Sequence, residues 1–152
     1  MQFLNDFHHL AFVTADMDRL LDFYKRIFEA QVVLDLEEEG LRHAFIKVGP
    51  HTMLHPFQIP GINPPGKQEL FQGGRLDHFA LNAVSEEAFR ELRKRVIEAG
   101  ASDGVVTDIG PIWTFGYTDP DEMVCEVVWT KPNPPAGVTG RVSEWRTVDM
   151  DS

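Results

Sequence analysis

Residues 7–14 read Phe-His-His-Leu-Ala-Phe-Val-Thr, and residues 76–83 read Leu-Asp-His-Phe-Ala-Leu-Asn-Ala. Both are short, apolar and β-prone, the signature of a strand. Side chains two apart on a strand share a face. His9, Ala11 and Val13 therefore point one way, with His8, Leu10 and Phe12 on the other. In the second run His78, Ala80 and Asn82 oppose Asp77, Phe79 and Leu81. Each strand thus has a bulky apolar side suited to packing under a helix. Each also has a side with a histidine and a small residue, suited to lining a cavity. Core packing alone does not account for that parallel.

The stretches downstream of the two runs also match each other. After the first strand, Thr14-Ala15-Asp16 ends it and Asp16 or Asp18 can cap a helix. Leu20, Leu21, Tyr24, Ile27 and Phe28 then recur at helical spacing over about three turns. Strands are expected at 31–37, at 41–48 after the Glu39-Gly40 turn, and at 52–58. Residues 59–74 carry three prolines among the first seven positions and read as a linker. After the second strand, Ser85 with Glu86 and Glu87 opens a helix along Ala88, Phe89, Leu92, Val96 and Ile97. Gly100 suits its left-handed cap. Strands come next at 105–109, 112–117 and 123–130, the last two split by the Asp119-Pro120-Asp121-Glu122 turn. The pattern is βαβββ, linker, βαβββ. It predicts an α+β domain over 1–130, with modules at about 7–58 and 75–130 forming a curved, barrel-like mixed sheet around a cleft. Residues 131–152 read as an extended tail from which Trp145 docks.

The 152 residues suffice for one domain with a real core. The single Cys125 forms no internal disulfide, in keeping with a reducing, cytoplasmic setting. No run approaches the roughly 20 apolar residues of a membrane span, and the N-terminus lacks the basic start of a signal peptide. With 14 basic against 24 acidic residues the net charge is −10. Such a surface repels nucleic acid and anionic membrane and leaves a small molecule as the expected partner.

The candidate chemistry lies at the module ends. His55 follows His9 by 46 positions, and Glu126 follows His78 by 48. Glu126 sits in Met-Val-Cys-Glu-Val-Val-Trp, where an unpaired buried carboxylate would cost several kcal/mol. A metal or an arginine relieves that, and so does plain exposure to water on one sheet face. His8, His43 and His51 read as surface or hydrogen-bonded histidines. Two imidazoles and a carboxylate suit Zn, Mn, Fe, Ni or Co and leave positions open for substrate.

His9-Leu-Ala-Phe-Val-Thr-Ala-Asp-Met17, followed by Asp22-Phe-Tyr-Lys-Arg-Ile-Phe28, resembles the opening motif of the vicinal oxygen chelate superfamily. That group holds the glyoxalases, bleomycin-resistance proteins and extradiol dioxygenases. Leu76–Leu81 resembles the start of its second module, and Tyr117-Thr-Asp-Pro-Asp-Glu-Met-Val-Cys-Glu126 its ending. The resemblance spans about residues 7–130. It implies one divalent metal bound by His9, His78 and Glu126, with His55 as a fourth ligand, an acid/base or a pocket wall. It also implies a homodimer. Glu29 and Glu122 stand where the family usually has glycine, so those two turns are expected to differ. The extradiol pattern calls for a histidine and a tyrosine before the Asp-Pro turn. No histidine follows His78, and Gly116 takes the tyrosine's place, which disfavours ring cleavage.

The leading expectation is a metal-dependent lyase or isomerase of the glyoxalase-like group, acting on a small molecule chelated through adjacent oxygens. Trp113, Phe115, Tyr117 and Asn82 are candidate pocket-lining residues, the three aromatics being equally suited to core under a helix. The alternative is a non-catalytic drug- or metabolite-binding resistance protein of the same fold. A thiol transferase would need a cationic pocket, for which Arg42, Lys47 and Arg75 are candidates.

Overall fold

The computed structural model describes residues 3, 7–67, 70, 71, 76–133 and 145–150. The chain forms two compact units, Met1–Lys67 and Gln68–Ser152. Residues 72–74 of the linker, Arg75 at the start of the second module, and residues 134–144 of the tail lie outside the described residues.

The first unit runs β1 (His9–Val13), α1 (Met17–Phe28), β2 (Gln31–Glu38), β3 (Leu41–Lys47) and β4 (Met53–Gln58). Its sheet has the order β1-β4-β3-β2, with β1 parallel to β4 and the other pairs antiparallel. Asp16 caps α1, its carboxylate accepting the Arg19 N–H at 3.0 Å. Met17, Leu20, Leu21, Tyr24 and Ile27 are at most 4% exposed, each such burial contributing about 1.5–3 kcal/mol. Their partners are the buried Ala44, Ile46, Leu54 and Pro56 of β3 and β4. Those positions fix which sheet face the helix covers. Glu39 and Gly40, at φ 52° and 84°, close the β2–β3 hairpin in two residues.

The second unit runs β5 (Phe79–Asn82), α2 (Glu86–Glu98), β6 (Val106–Asp108), β7 (Ile112–Thr118), β8 (Val124–Thr130) and β9 (Arg146–Val148). Its sheet has the order β5-β8-β7-β6-β9, β5 and β8 being parallel. Ser85 caps α2 through the Ala88 N–H at 3.1 Å, and Gly100 ends it at φ 68°. Phe89 and Val96 of α2 are buried over Cys125, Val127 and Phe115. The α+β class with two βαβββ units is the one the sequence pattern implies, and its strands divide into two mixed sheets.

The tail differs from expectation. Arg146–Val148 pairs with β6 as a fifth strand, so the tail docks through its backbone, while Trp145 stays 44% exposed. Among the described residues no helix is long and apolar enough to cross a membrane.

Candidate metal centre

In the first unit the parallel pairing sets His9 beside Met53 and Ala11 beside His55. Because Leu54 and Pro56 are buried on the α1 side, His9 and His55 occupy the opposite face. Their ring centroids are 5.3 Å apart. Phe45 stacks on His55 at 3.9 Å, and Phe57 lies against it at 4.2 Å. His43 Nδ1 approaches His55 Nε2 to 3.1 Å, so in this pair one ring donates and the other accepts. Burial, and then the neighbouring His43 and His9 charges, hold the His55 pKa below the ordinary imidazole value. His8 completes a run of rings, its Nδ1 2.8 Å from His9 Nδ1. His43, read from sequence as an ordinary surface or core histidine, therefore belongs to this cluster. The signal for it was the alternation His43, Phe45 along β3, which only the strand register connects to His55.

In the second unit, Ala80 pairs with Glu126 and Gly116 lies on the other side of it. Glu126 therefore faces away from Cys125 and Val127, both fully buried on the α2 side. Its Oε1 lies 4.0 Å from His78 Nε2, and its Oε2 accepts the Thr114 hydroxyl at 3.1 Å. His78 Nδ1 is 2.6 Å from Asp77 Oδ1. His78 and Asp77 precede β5, whose pairing begins at Phe79. Neither Asp77 nor Thr114 was singled out by the sequence. Asn82 lies on the Glu126 side, in register with Val128, with the Thr130 hydroxyl 3.4 Å away.

The three aromatic candidates stand elsewhere. Phe115 and Tyr117 are 1% and 2% exposed and share the α2 side with Cys125. Phe115 and Trp113 meet Phe89 of α2 at 4.9 and 6.3 Å. Phe115 and Tyr117 are core and Trp113 lies partly buried beside them, which matches the alternative the sequence left open for the three aromatics. Arg42 also leaves the list of free cations, since Asp35 and Asp18 bind its guanidinium at 2.8 and 2.9 Å.

Two donors bonded to one transition-metal ion at 2.0–2.2 Å can be at most about 4.2 Å apart, and about 3.4 Å at a tetrahedral angle. The His78–Glu126 separation falls inside that span, and each side chain keeps one atom free while the other is hydrogen-bonded. At 4.0 Å the pair is wider than the tetrahedral spacing, so the two donors would close by about 0.6 Å to share one ion. Within either unit, the described residues hold no group of three or more such side chains at ligand spacing. His9 and His55 belong to one unit, His78 and Glu126 to the other.

Two βαβββ units, each presenting histidine on the sheet face away from its helix, define a class of duplicated α+β proteins. The chain belongs to the glyoxalase/bleomycin resistance protein/dioxygenase superfamily, whose family model matches residues 6–127. It is 27% identical over 136 residues to lactoylglutathione lyase GLX1 of Arabidopsis thaliana, covering 84% of this chain and 45% of that enzyme. The chain thus spans under half of the plant relative's length. It is also 27% identical over 129 residues to the uncharacterised protein YwkD of Bacillus subtilis, covering 82% of this chain and 96% of YwkD. A glyoxylase/bleomycin resistance protein/dioxygenase domain from Frankia has the same fold, with TM-score 0.68 at 19% identity over 86% of this chain and 95% of its own. The fosfomycin resistance protein FosX of Listeria monocytogenes, solved with Mn(II), aligns with TM-score 0.60 at 14% identity over 86% and 96% of the two chains.

Proposed function

We propose that this chain is a divalent-metal-dependent, glyoxalase-like enzyme of lyase or isomerase type, acting on a small molecule bound through adjacent oxygens. His9, His78 and Glu126 are its metal ligands. The observation that carries this reading is the approach of His78 Nε2 to Glu126 Oε1, with each side chain steadied on its far side by Asp77 or Thr114. The Mn(II) of FosX and the lyase activity in the plant relative's name support it at the level of the class. When bound, a cation of this kind supplies Lewis-acid stabilisation of charge on substrate oxygen.

His55 takes the part of proton carrier better than that of fourth ligand. Its Nε2 is already engaged by His43, which occupies that nitrogen against a cation and gives a proton a route between the two rings. Phe45 and Phe57 hold its ring in place and keep water from its faces. The same family likeness supports a homodimer, readable by light scattering.

Elemental analysis of the purified chain, followed by a screen of α-keto aldehyde–thiol adducts, tests the proposal. About one transition-metal ion per chain is expected, lost in His78→Ala and Glu126→Ala and retained in His55→Ala, which loses turnover alone. Unchanged metal content in His78→Ala removes the enzymatic reading and leaves the metabolite-binding alternative.

A further inference from the structure

His78 has a second carboxylate beside it, on the side away from Glu126. The Asp77 Oδ1 lies 2.6 Å from His78 Nδ1, and its other oxygen accepts the backbone N–H of Phe71. Both side chains are only about a third exposed, 33% for His78 and 30% for Asp77, so water competes weakly for the contact. A carboxylate carries no donor, so a 2.6 Å approach requires the proton on His78 Nδ1. In a neutral imidazole that places the lone pair on Nε2, the atom that faces Glu126 Oε1. The other tautomer would set a lone pair against Asp77 and an N–H toward Glu126. The first of those contacts brings two acceptors together, which this spacing does not allow.

We propose that Asp77 is a positioning residue that fixes His78 as the Nδ1–H tautomer and so makes Nε2 the donor atom offered to a divalent cation. The inference rests on His78 being a metal ligand, and it adds the group that sets the ligand's tautomer and orientation. Losing a carboxylate partner on the outer nitrogen of a ligating histidine typically lowers metal affinity 10- to 100-fold. The competing role for Asp77 is structural, tying the chain at Phe71 to the start of β5. Asp77→Asn separates the two. The amide oxygen can still accept the Phe71 N–H, while its NH₂ turned to the ring favours a lone pair on Nδ1 and the proton on Nε2.

Long-range ¹H–¹⁵N spectra of the full chain, stripped of metal and held at alkaline pH, read the tautomer directly. Zinc titration of the same samples reads affinity. In the wild type the Nδ1–H form of His78 is expected, and in Asp77→Asn a shift to Nε2–H with zinc affinity 10- to 100-fold weaker and an unchanged melting temperature. A wild-type His78 protonated at Nε2 overturns the proposal without recourse to any variant. If only His78→Ala loses zinc and Asp77→Asn binds as the wild type does, the positioning role fails while the ligand stands. If both variants bind zinc as the wild type does, the ligand reading fails and takes the proposal with it.

Discussion

His55 carries a pH signature set by its surroundings. Its folded pKa is lowered, first by burial and then by the His43 and His9 charges, whereas in the unfolded chain it titrates near 6.5. Above about pH 6.5 both states hold a neutral ring and pH has no effect through this group. As pH falls below that value the unfolded chain takes up a proton that the folded chain refuses, so stability declines until the folded pKa is passed. In metal-free protein, His55→Phe keeps a flat ring between Phe45 and Phe57 and is expected to show a shallower loss of stability from about pH 6.5 to 5. Urea midpoints at each pH measure it, and parallel slopes for the two proteins would refute the assignment. His55 itself was legible in the sequence through its distance from His9, but its partner His43 was not. The pairing depends on β3–β4 register, and nothing in either strand alone states it. Glu29 and Glu122 show the reverse case. Their turns keep a backbone that favours glycine, at φ 53° and 65°, although neither is glycine. At Glu122 the Asp119 carboxylate holds the turn, accepting the N–H groups of Asp121 and Met123 at 2.9 Å. That left-handed backbone costs roughly 1–2 kcal/mol in a residue with a Cβ, and local hydrogen bonds outweigh it.

Strand β9 is the element the sequence could not announce. Three residues, Arg-Thr-Val, are too few to display an alternation. They become a strand because β6 offers an unpaired edge, with Val106, Thr107 and Asp108 opposite Val148, Thr147 and Arg146. Such an edge left bare invites pairing with another chain. Around it, Lys131 Nζ sits 2.7 Å from both Asp108 oxygens, and the Arg90 guanidinium reaches the Met150 carbonyl at 3.4 Å. The other eight strands and both helices were legible, because each obeys a local rule: period two, period 3.6, a cap or a turn residue. Where tertiary contact supplies the reason, as at β9 or in the late start of β5 at Phe79, local rules fall short. Thr147→Pro places a fixed φ and a ring in the middle of the three pairs. Hydrogen exchange at residues 106–108 is expected to quicken at least tenfold, with β1–β4 unaffected. Unchanged protection there would mean that β9 adds nothing to β6.

At the scale of the whole chain, the duplication raises the question of what each half can do by itself. Among the described residues no three side chains of metal-ligand type stand close enough to hold an ion, and the candidate ligands are divided, His9 with His55 in one unit and His78 with Glu126 in the other. Two protein donors leave most of a cation's coordination to water, and affinity for transition metals rises as further imidazole and carboxylate ligands are added. On the proposed reading His9, His78 and Glu126 all serve one cation, so binding it stabilises the folded chain by linkage. Zinc at 100 times its dissociation constant adds about 2.7 kcal/mol. For a protein of this length, at about 2–4 °C per kcal/mol, that amounts to a melting shift of roughly 5–10 °C. His9→Ala and Glu126→Ala, though far apart in the chain, are each expected to abolish most of that shift. The double variant is expected to lose little more than either one, because side chains that serve one ion couple and do not add. Calorimetry with and without zinc decides it. A His9→Ala protein that keeps the full shift while Glu126→Ala loses it would assign the cation to the second unit alone.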